Sequence, residues 1–213
     1  MELEVIRKMI ARGEGDLVEF KKKANHPDKI IREVVAFANS KGGNLFVGVS
    51  DDGTIAGLKY PEEDQFALNQ AFEELCKPKI NFEVSILNFE NGKKILHYAI
   101  AESEEKPHFA FLEKRHRYGK AFIRLNDRSV QASPEMRKIL KERKSYNRVI
   151  SIEDSTSDLF KFLEKNEHIT LTQYCELSGL NKKLASNKLV SLALSGALKI
   201  EPREDEDLFL PVL

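Results

Sequence analysis

The chain has 213 residues, of which 41% are hydrophobic and 32% charged, and its 34 Lys and Arg residues balance its 34 Asp and Glu residues. This composition is typical of a globular protein with an apolar core, and the zero net charge points to no polyanionic partner by itself. No apolar run approaches the roughly 20 residues that cross a bilayer, and the N-terminus lacks the apolar segment of a signal peptide. We therefore expect a cytoplasmic protein with no membrane association.

The first two thirds of the chain alternate between helix and strand patterns. Apolar residues at helical spacing predict a helix over residues 2–12, which Gly13 ends, and alternation predicts a strand over 16–22. A second helix begins at Pro27 and ends at the glycines of "SKGG". Strands are predicted over 44–50, 54–58, 80–88, 94–101, 107–112 and 119–125, a helix over 61–76 with Phe66, Leu68, Phe72 and Leu75 inward, and a last helix after the cap Ser133.

The last sixty residues predict three short helices and a β-hairpin. The first helix carries Leu159, Phe160 and Leu163, and the second is capped by Thr170 or Thr172 and ended by Gly179. The third helix has leucines inward, and two strands follow around a charged turn. This is the order of a small winged helix-turn-helix domain. The inward leucines of the third helix are Leu184, Leu189, Leu192 and Leu194.

In a winged helix the third helix enters the major groove of DNA. Its outward side chains here are of types that contact phosphates and base edges. The turn of the hairpin, residues 201–207, is acidic and would repel a phosphate backbone, so a protein-interaction or dimerisation role explains the same fold. The outward residues are Asn181, Lys182, Lys183, Ser186, Asn187 and Lys188.

Charge divides unevenly along the chain. Residues 151–213 carry 7 Lys and Arg residues and 11 Asp and Glu residues. The first 150 residues therefore carry 27 basic and 23 acidic residues. The change follows a basic run over 137–148. We therefore predict two domains, 1–148 and 149–213, of which the first mildly attracts polyanions.

The stretch "GEGDLVEFKKK", residues 13–23, combines acids and bases densely where a strand begins. A solvated turn that leads into an edge strand explains this pattern, and so does a site that handles a phosphodiester. Glu19 and Lys21 lie on the same face of the strand because side chains alternate with period two. A lysine there can hold a phosphate as a point charge.

Three segments together resemble the Schlafen-type Alba-like domain: "GEGDLVEFKKK", "VVAFANSKGGNLFVGVSDDGTIAG" and "GKAFIRLNDRSVQAS". The resemblance spans roughly residues 1–145. It implies an α+β fold with a mixed or antiparallel sheet, followed here by the small winged helix-turn-helix domain. It also implies a nucleic-acid-binding protein of the bacterial transcriptional-regulator type.

The same resemblance implies a nuclease site. Eukaryotic Schlafen relatives use two glutamates and an aspartate as an endoribonuclease site on tRNA-like substrates, and these match Glu14, Glu19 and Asp51, with Lys21 as the lysine. Three converging carboxylates need a counter-charge, and Mg²⁺ or Mn²⁺ would supply it and activate water. The family core pairs two lobes, whereas this chain has one, so a homodimer would be needed to rebuild that clamp.

Further basic residues are candidates for contact with a nucleic-acid backbone. Residues 113–120 form a basic loop with one aromatic side chain, which a solvated hairpin tip also explains. Arg124 and Arg128 flank "LND". With the lysines after the first strand and those of the third C-terminal helix, the predicted contacts are Lys21, Lys22, Lys23, Lys114, Arg115, Arg117, Arg124, Arg128, Lys182, Lys183 and Lys188.

The sequence thus favours a non-catalytic nucleic-acid-binding protein, with DNA or RNA as its partner and a homodimer as its assembly. One alternative is a divalent-metal-dependent endoribonuclease that uses Glu14, Glu19, Lys21 and Asp51. The other is a nucleotide-sensing or protein-interaction module, although the chain has no GxxxxGK[ST] phosphate loop. Cys76 and Cys175 match no metal or disulfide spacing.

Overall fold

The computed structural model describes residues 3–89, 92–111, 117–143 and 154–212. The chain divides into two compact units, Met1–Gln131 and Ala132–Leu213. The sequence predicts a boundary after residue 148, at the end of the basic run. The compact units divide earlier because the helix that Ser133 caps packs on a helix of the second unit, Lys182–Leu194.

In its described residues the first unit has three helices and eight short strands. The helices begin where the sequence predicts them, with proline in the first turn of the second and third. In chain order the elements are α1 Leu3–Arg12, β1 Val18–Lys21, α2 Pro27–Asn39, β2 Gly43–Val47, α3 Pro61–Leu75, β3 Cys76–Lys77, β4 Phe82–Asn88, β5 Lys94–Ile100, β6 Phe109–Ala110, β7 Phe122–Leu125 and β8 Arg128–Gln131.

A four-stranded mixed sheet in the order β1-β2-β5-β4 forms the centre of this unit. Strands β1 and β2 are parallel and are joined through α2, whereas the other neighbours pair antiparallel. Small two-stranded pairs, β3 with β6 and β7 with β8, complete the unit. The α+β class with a mixed sheet is therefore as the sequence predicts.

Alternation along β2 divides the apolar residues between two cores. Leu45 and Val47 pack with α2 and α3, in a cluster that includes Tyr98 of β5. Phe46 points to the opposite face, where it packs with Phe20 and with residues of α1. Both faces of the sheet are thus covered by helices, which explains why β2 reads as an almost continuous apolar run.

The junction between α2 and β2 fixes the rest of the unit. Asn39, at the end of α2, donates from Nδ2 to the carbonyl oxygens of His108 and Phe122 at 3.0 and 2.9 Å, and its Oδ1 accepts the His108 N–H at 2.7 Å. The next residue, Ser40, accepts the backbone N–H of Arg124 at 2.8 Å. These bonds bring β7, which carries Arg124, beside α2.

Several local predictions differ from the structure. Residues 54–58 contribute one isolated bridge, between Val49 and Ile55, rather than a strand. Phe66 is 72% exposed and Leu184 is 52% exposed, although apolar spacing predicted both inward. Strand β8 was not predicted, because "RSVQ" is short and mostly polar.

The second unit contains four helices and a hairpin within the described residues. Thr170 forms a capping box at the start of the third of these helices, and Gly179 ends it with φ +67°. An isolated bridge joins Ile169 to Phe209 of the hairpin. The elements are α4 Pro134–Glu142, α5 Asp154–Lys165, α6 Leu171–Ser178, α7 Lys182–Leu194, β9 Leu198–Glu201 and β10 Leu208–Pro211, the last two antiparallel.

Helix α4 covers part of α7. The hydroxyl of Ser186 donates to Glu135, and the ammonium of Lys138 bonds Asn187 Oδ1 at 3.0 Å. Ser186 is consequently buried, at 4% exposure, although the sequence predicted it as an outward residue of α7. Among the residues described, none of the helices combines the length and apolar character that crossing a membrane requires.

Candidate nucleic-acid interface

Glu14 lies in the turn before β1, where its carboxylate accepts the backbone N–H of Phe20 at 2.8 Å. Burial raises the pKa of Glu14, and the negative charges of Glu19 and Asp51 raise it further, against the effects of the Phe20 N–H and Lys21. Glu19 and Asp51 are therefore both close enough to Glu14 for their charges to act on its carboxylate.

Glu19 is buried in β1 at 5% exposure, and cations bond both of its carboxylate oxygens. Lys21 bonds Oε1, and Arg124 of β7 bonds Oε2 at 2.9 Å. A second carboxylate, Glu33 of α2, accepts the other terminal nitrogen of Arg124 at 2.7 Å and also accepts the hydroxyl of Ser129. One arginine thus joins a buried acid, Glu19, and a half-buried acid, Glu33, from separate elements.

Arg124 is an internal counter-ion. Its side chain is 2% exposed, its guanidinium donates to the Gly15 carbonyl at 2.8 Å, and it lies 4.8 Å from the centre of the Phe37 ring. The sequence predicts that Arg124 contacts a phosphate backbone. This prediction is wrong for the present arrangement, since the guanidinium is enclosed and bound to Glu19 and Glu33.

The acid cluster obtains its counter-charge from the chain itself. Burial and the charge of Glu19 raise the pKa of Glu33 by more than Ser129, Lys21 and Arg124 lower it, which reflects how enclosed the cluster is. Among the described His, Cys, Asp and Glu side chains, no group of three is arranged to hold a metal ion. With both Glu19 oxygens held by cations, Glu14, Glu19 and Asp51 do not fit Mg²⁺ or Mn²⁺ in this geometry.

A basic groove of about 720 Å³ opens beside the end of β1. Lys22 and Lys23 follow β1 directly and line it, together with Lys59 and Tyr60 just before α3. Asp64 is the acidic member of the lining, and burial raises its pKa, with a contribution from Glu63. The full lining is Lys22, Lys23, Ala24, Asn25, Pro27, Ala56, Gly57, Leu58, Lys59, Tyr60, Asp64 and Ala67.

Tyr60 presents an aromatic ring at this groove. It is 53% exposed, and the ammonium of Lys59 lies 4.9 Å from the ring centre. Tyr60 precedes α3, and its side chain does not cap that helix by a hydrogen bond. The same is true of His26, which precedes α2. Sequence reasoning missed Lys59 and Tyr60, for which the only signal was the pair "KY" ahead of a helix-starting proline.

The other predicted basic contacts are spread over both units. Lys114 and Arg115 lie outside the described residues. The guanidinium of Arg117 lies 5.7 Å from the ring of Tyr118, which is 77% exposed. The remaining members are Arg128, exposed on β8, Lys182 and Lys183, exposed at the start of α7, and Lys188, half-buried on α7.

The first unit is an α+β domain with a basic groove beside a buried acid cluster, and comparison with protein families assigns it to a class. The family model described as "Schlafen, AlbA_2" matches residues 14–133, which is more than half of the chain. The chain therefore belongs to the Schlafen AlbA_2 family. No curated protein matches the sequence.

Solved structures also match. The solution structure of the N-terminal domain of a RecG-related protein from Nitrosomonas europaea has 19% identity and a TM-score of 0.43, over 71% of this chain and 94% of that domain. The crystal structure of the DIP2311 protein from Corynebacterium diphtheriae has 16% identity and a TM-score of 0.47, over 98% of this chain. The match covers 37% of that longer protein.

Proposed function

We propose that the Schlafen AlbA_2 unit binds nucleic acid through the basic groove, without catalysis. The observation that carries this proposal is the groove itself, in which Lys22, Lys23 and Lys59 meet at one cavity of about 720 Å³. Lysines that contact phosphates release counterions from a nucleic acid and so contribute affinity. The zero net charge of the chain means that this attraction is local.

The buried cluster supports this role indirectly. Arg124 bonds Glu19 of β1 and the carbonyl of Gly15 just before it, while Glu33 connects the same arginine to α2. Strand β1 is thereby anchored, and the two lysines that follow it keep a defined position at the groove. Preorganised cations lose less conformational entropy on binding than free ones.

A salt titration tests the proposal. Binding of fluorescein-labelled oligonucleotides is measured by anisotropy from 50 to 300 mM KCl for the wild type and for the double variant Lys22→Gln/Lys23→Gln. We expect the variant to bind about tenfold more weakly and its salt slope to fall by about 2, because two phosphate contacts are lost. The control, Lys161→Gln/Lys165→Gln on α5, removes the same charge. Equal losses in both variants would contradict the proposal.

The second unit is proposed to be a winged helix. Support comes from the order α5, α6, α7, β9, β10 and from the bridge between Ile169 and Phe209, which pairs the segment before α6 with the hairpin. We infer that α7 does not read DNA, because α4 covers Ser186 and bonds Asn187. A role in transcriptional regulation would then use this unit for protein contact.

The endoribonuclease alternative has one observation in its favour, which is that Glu19 and Asp51 both lie close enough to Glu14 to raise its pKa. It requires Glu19 to be released from Lys21 and Arg124. Incubation of tRNA with Mn²⁺ and either wild type or Glu19→Gln distinguishes the two functions. Equal background cleavage by both proteins is the result we expect, whereas cleavage by the wild type alone would favour the nuclease.

A further inference from the structure

We propose that Tyr60 is a base-stacking platform and that the basic groove therefore takes single-stranded nucleic acid. One unpaired base would lie against the Tyr60 ring, and the neighbouring phosphates would contact Lys22, Lys23 and Lys59. This inference rests on the proposed nucleic-acid-binding function and specifies its ligand. It assigns a role to Lys59 and Tyr60, which no motif of the sequence identified.

Exposure and position both support a platform. An aromatic side chain in a groove wall is usually covered by its own protein, yet 53% of Tyr60 remains exposed with Lys59 already over the ring at 4.9 Å. Base–aromatic stacking is tolerant of sequence because every base has a π-face, and a nearby cation strengthens it. Lysines on the same groove supply the contacts that such sites make to the backbone.

The charge and shape of the groove favour a strand over a duplex or a free nucleotide. A base that stacks on a side chain must be unpaired, which excludes the interior of a duplex. Sites for small ligands enclose most of the ligand surface. Here Lys22, Lys23, Asn25, Lys59 and Tyr60 all remain exposed around the cavity, as a groove that follows a continuous backbone requires.

An abasic strand separates stacking from electrostatics. Anisotropy titrations compare a 12-nucleotide single strand with an abasic strand of equal length and charge, at one salt concentration, using the full chain. We expect the wild type to prefer the normal strand by about tenfold. Tyr60→Leu should reduce this preference to within twofold while its affinity for the abasic strand stays unchanged. Tyr60→Phe, which keeps the ring, should behave as the wild type.

Phe66 provides a matched control, since it is an aromatic residue of α3 that is 72% exposed and does not line the groove. Phe66→Leu should keep the full preference for the normal strand, and thermal unfolding of each variant checks that it is folded. If Tyr60→Leu keeps the preference while Lys22→Gln/Lys23→Gln weakens binding, the stacking inference is wrong and the proposed function stands. If neither change matters, both are wrong.

A free nucleotide is the remaining competitor. AMP and ATP are added to the preformed complex with the single strand, and the strand length is varied from 4 to 12 nucleotides. We expect affinity to rise with length and millimolar nucleotide to compete weakly. Displacement of the strand by micromolar nucleotide, with no dependence on length, would overturn the inference in favour of a mononucleotide site.

Discussion

Arg124 shows at the scale of single residues how a cationic side chain of the protein stabilises a cluster of acids. Its planar guanidinium donates in two directions, to Glu19 at 2.9 Å and to Glu33 at 2.7 Å, while its face lies on Phe37. A lysine is a point charge and lacks this fork. Glu19, one of the three carboxylates predicted to hold a metal, is therefore part of a structural network in the present geometry.

Removal of Arg124 should be costly. Arg124→Met leaves the buried carboxylate of Glu19 and the half-buried carboxylate of Glu33 without this partner. Breaking a buried ion pair from one side typically costs about 3–5 kcal/mol. Glu33→Gln should cost much less, because burial raises the pKa of Glu33 and the amide can still accept from Ser129. Urea unfolding of both variants at pH 7 measures the difference. Equal stability of Arg124→Met and wild type would show that the network is dispensable.

His97 should make the stability of the first unit depend on pH. It is 4% exposed, stacks on Phe46 at 4.7 Å and bonds Asn44 through Nε2 at 2.8 Å, and burial lowers its pKa to about 4. Because the unfolded chain binds the proton more tightly, this contribution is complete above about pH 6.5 and is lost as the pH falls toward 4.

The loss amounts to about 3 kcal/mol between pH 7 and pH 4, at 1.36 kcal/mol per pKa unit. His97→Phe keeps a ring against Phe46 and removes the titration. Urea unfolding at both pH values should give a smaller change for the variant than for the wild type, by about that amount. The carboxylates of the chain titrate in both proteins, so their contribution to the pH dependence cancels in the comparison. Identical pH dependence would mean that His97 is not buried in its neutral form.

At the scale of elements, the junction between α2 and β2 depends on a glycine for two reasons. Gly42 has φ +76°, and a Cβ there would lie 2.6 Å from the carbonyl oxygen of Ile100 and 2.8 Å from the backbone nitrogen of Glu102. Gly13 has a similar φ of +84° but open space around it. The two positions separate backbone strain from steric overlap.

We expect Gly13→Ala to cost about 1 kcal/mol, which is the price of left-handed backbone for alanine. Gly42→Ala should cost at least about 2 kcal/mol more, because backbone atoms of the neighbouring strand cannot move as a flexible side chain can. Thermal unfolding of both variants tests this. Similar losses at the two positions would indicate that the junction can shift to admit a methyl group.

Elements with a strong period or a clear terminus could be predicted from sequence, and junctions could not. Apolar spacing and proline placed α1, α2 and α3, and Thr170 and Gly179 bounded α6. The same spacing predicted the wrong side for Phe66, which is 72% exposed because no element of the described chain covers it. Periodicity identifies an apolar stripe but not whether a neighbour covers it.

The contacts of the candidate site also divide into those that a local sequence pattern predicts and those that it does not. Glu14, Glu19 and Lys21 belong to one short segment, so their proximity could be predicted locally. Glu33 and Arg124 are 91 positions apart and meet only because Asn39 and Ser40 hold β7 beside α2. The groove likewise joins the end of β1 to the start of α3, and no local pattern connects them.

At the scale of the whole molecule, zero net charge conceals units of different character. The lysines at the groove lie in the first unit, while the hairpin turn of the second unit carries exposed Glu204 and Asp205. Glu206 of the same turn accepts the backbone N–H and the hydroxyl of Thr172 at 2.8 and 2.9 Å, at the start of α6. A nucleic acid that approached this side of the second unit would meet negative charge.

Charge removal in each unit should therefore have separable effects. Lys182→Gln/Lys183→Gln at the start of α7 should change the affinity for single-stranded and duplex oligonucleotides by less than twofold and leave the salt slope unchanged. The change is small because α4 covers the adjacent surface of α7 and acidic residues line the hairpin. Lys22→Gln/Lys23→Gln removes an equal charge from the groove and should lower both the affinity and the salt slope. A larger loss of affinity from the α7 variant, above all for duplex DNA, would assign DNA contact to the second unit. It would contradict the inference that α4 keeps α7 from reading DNA.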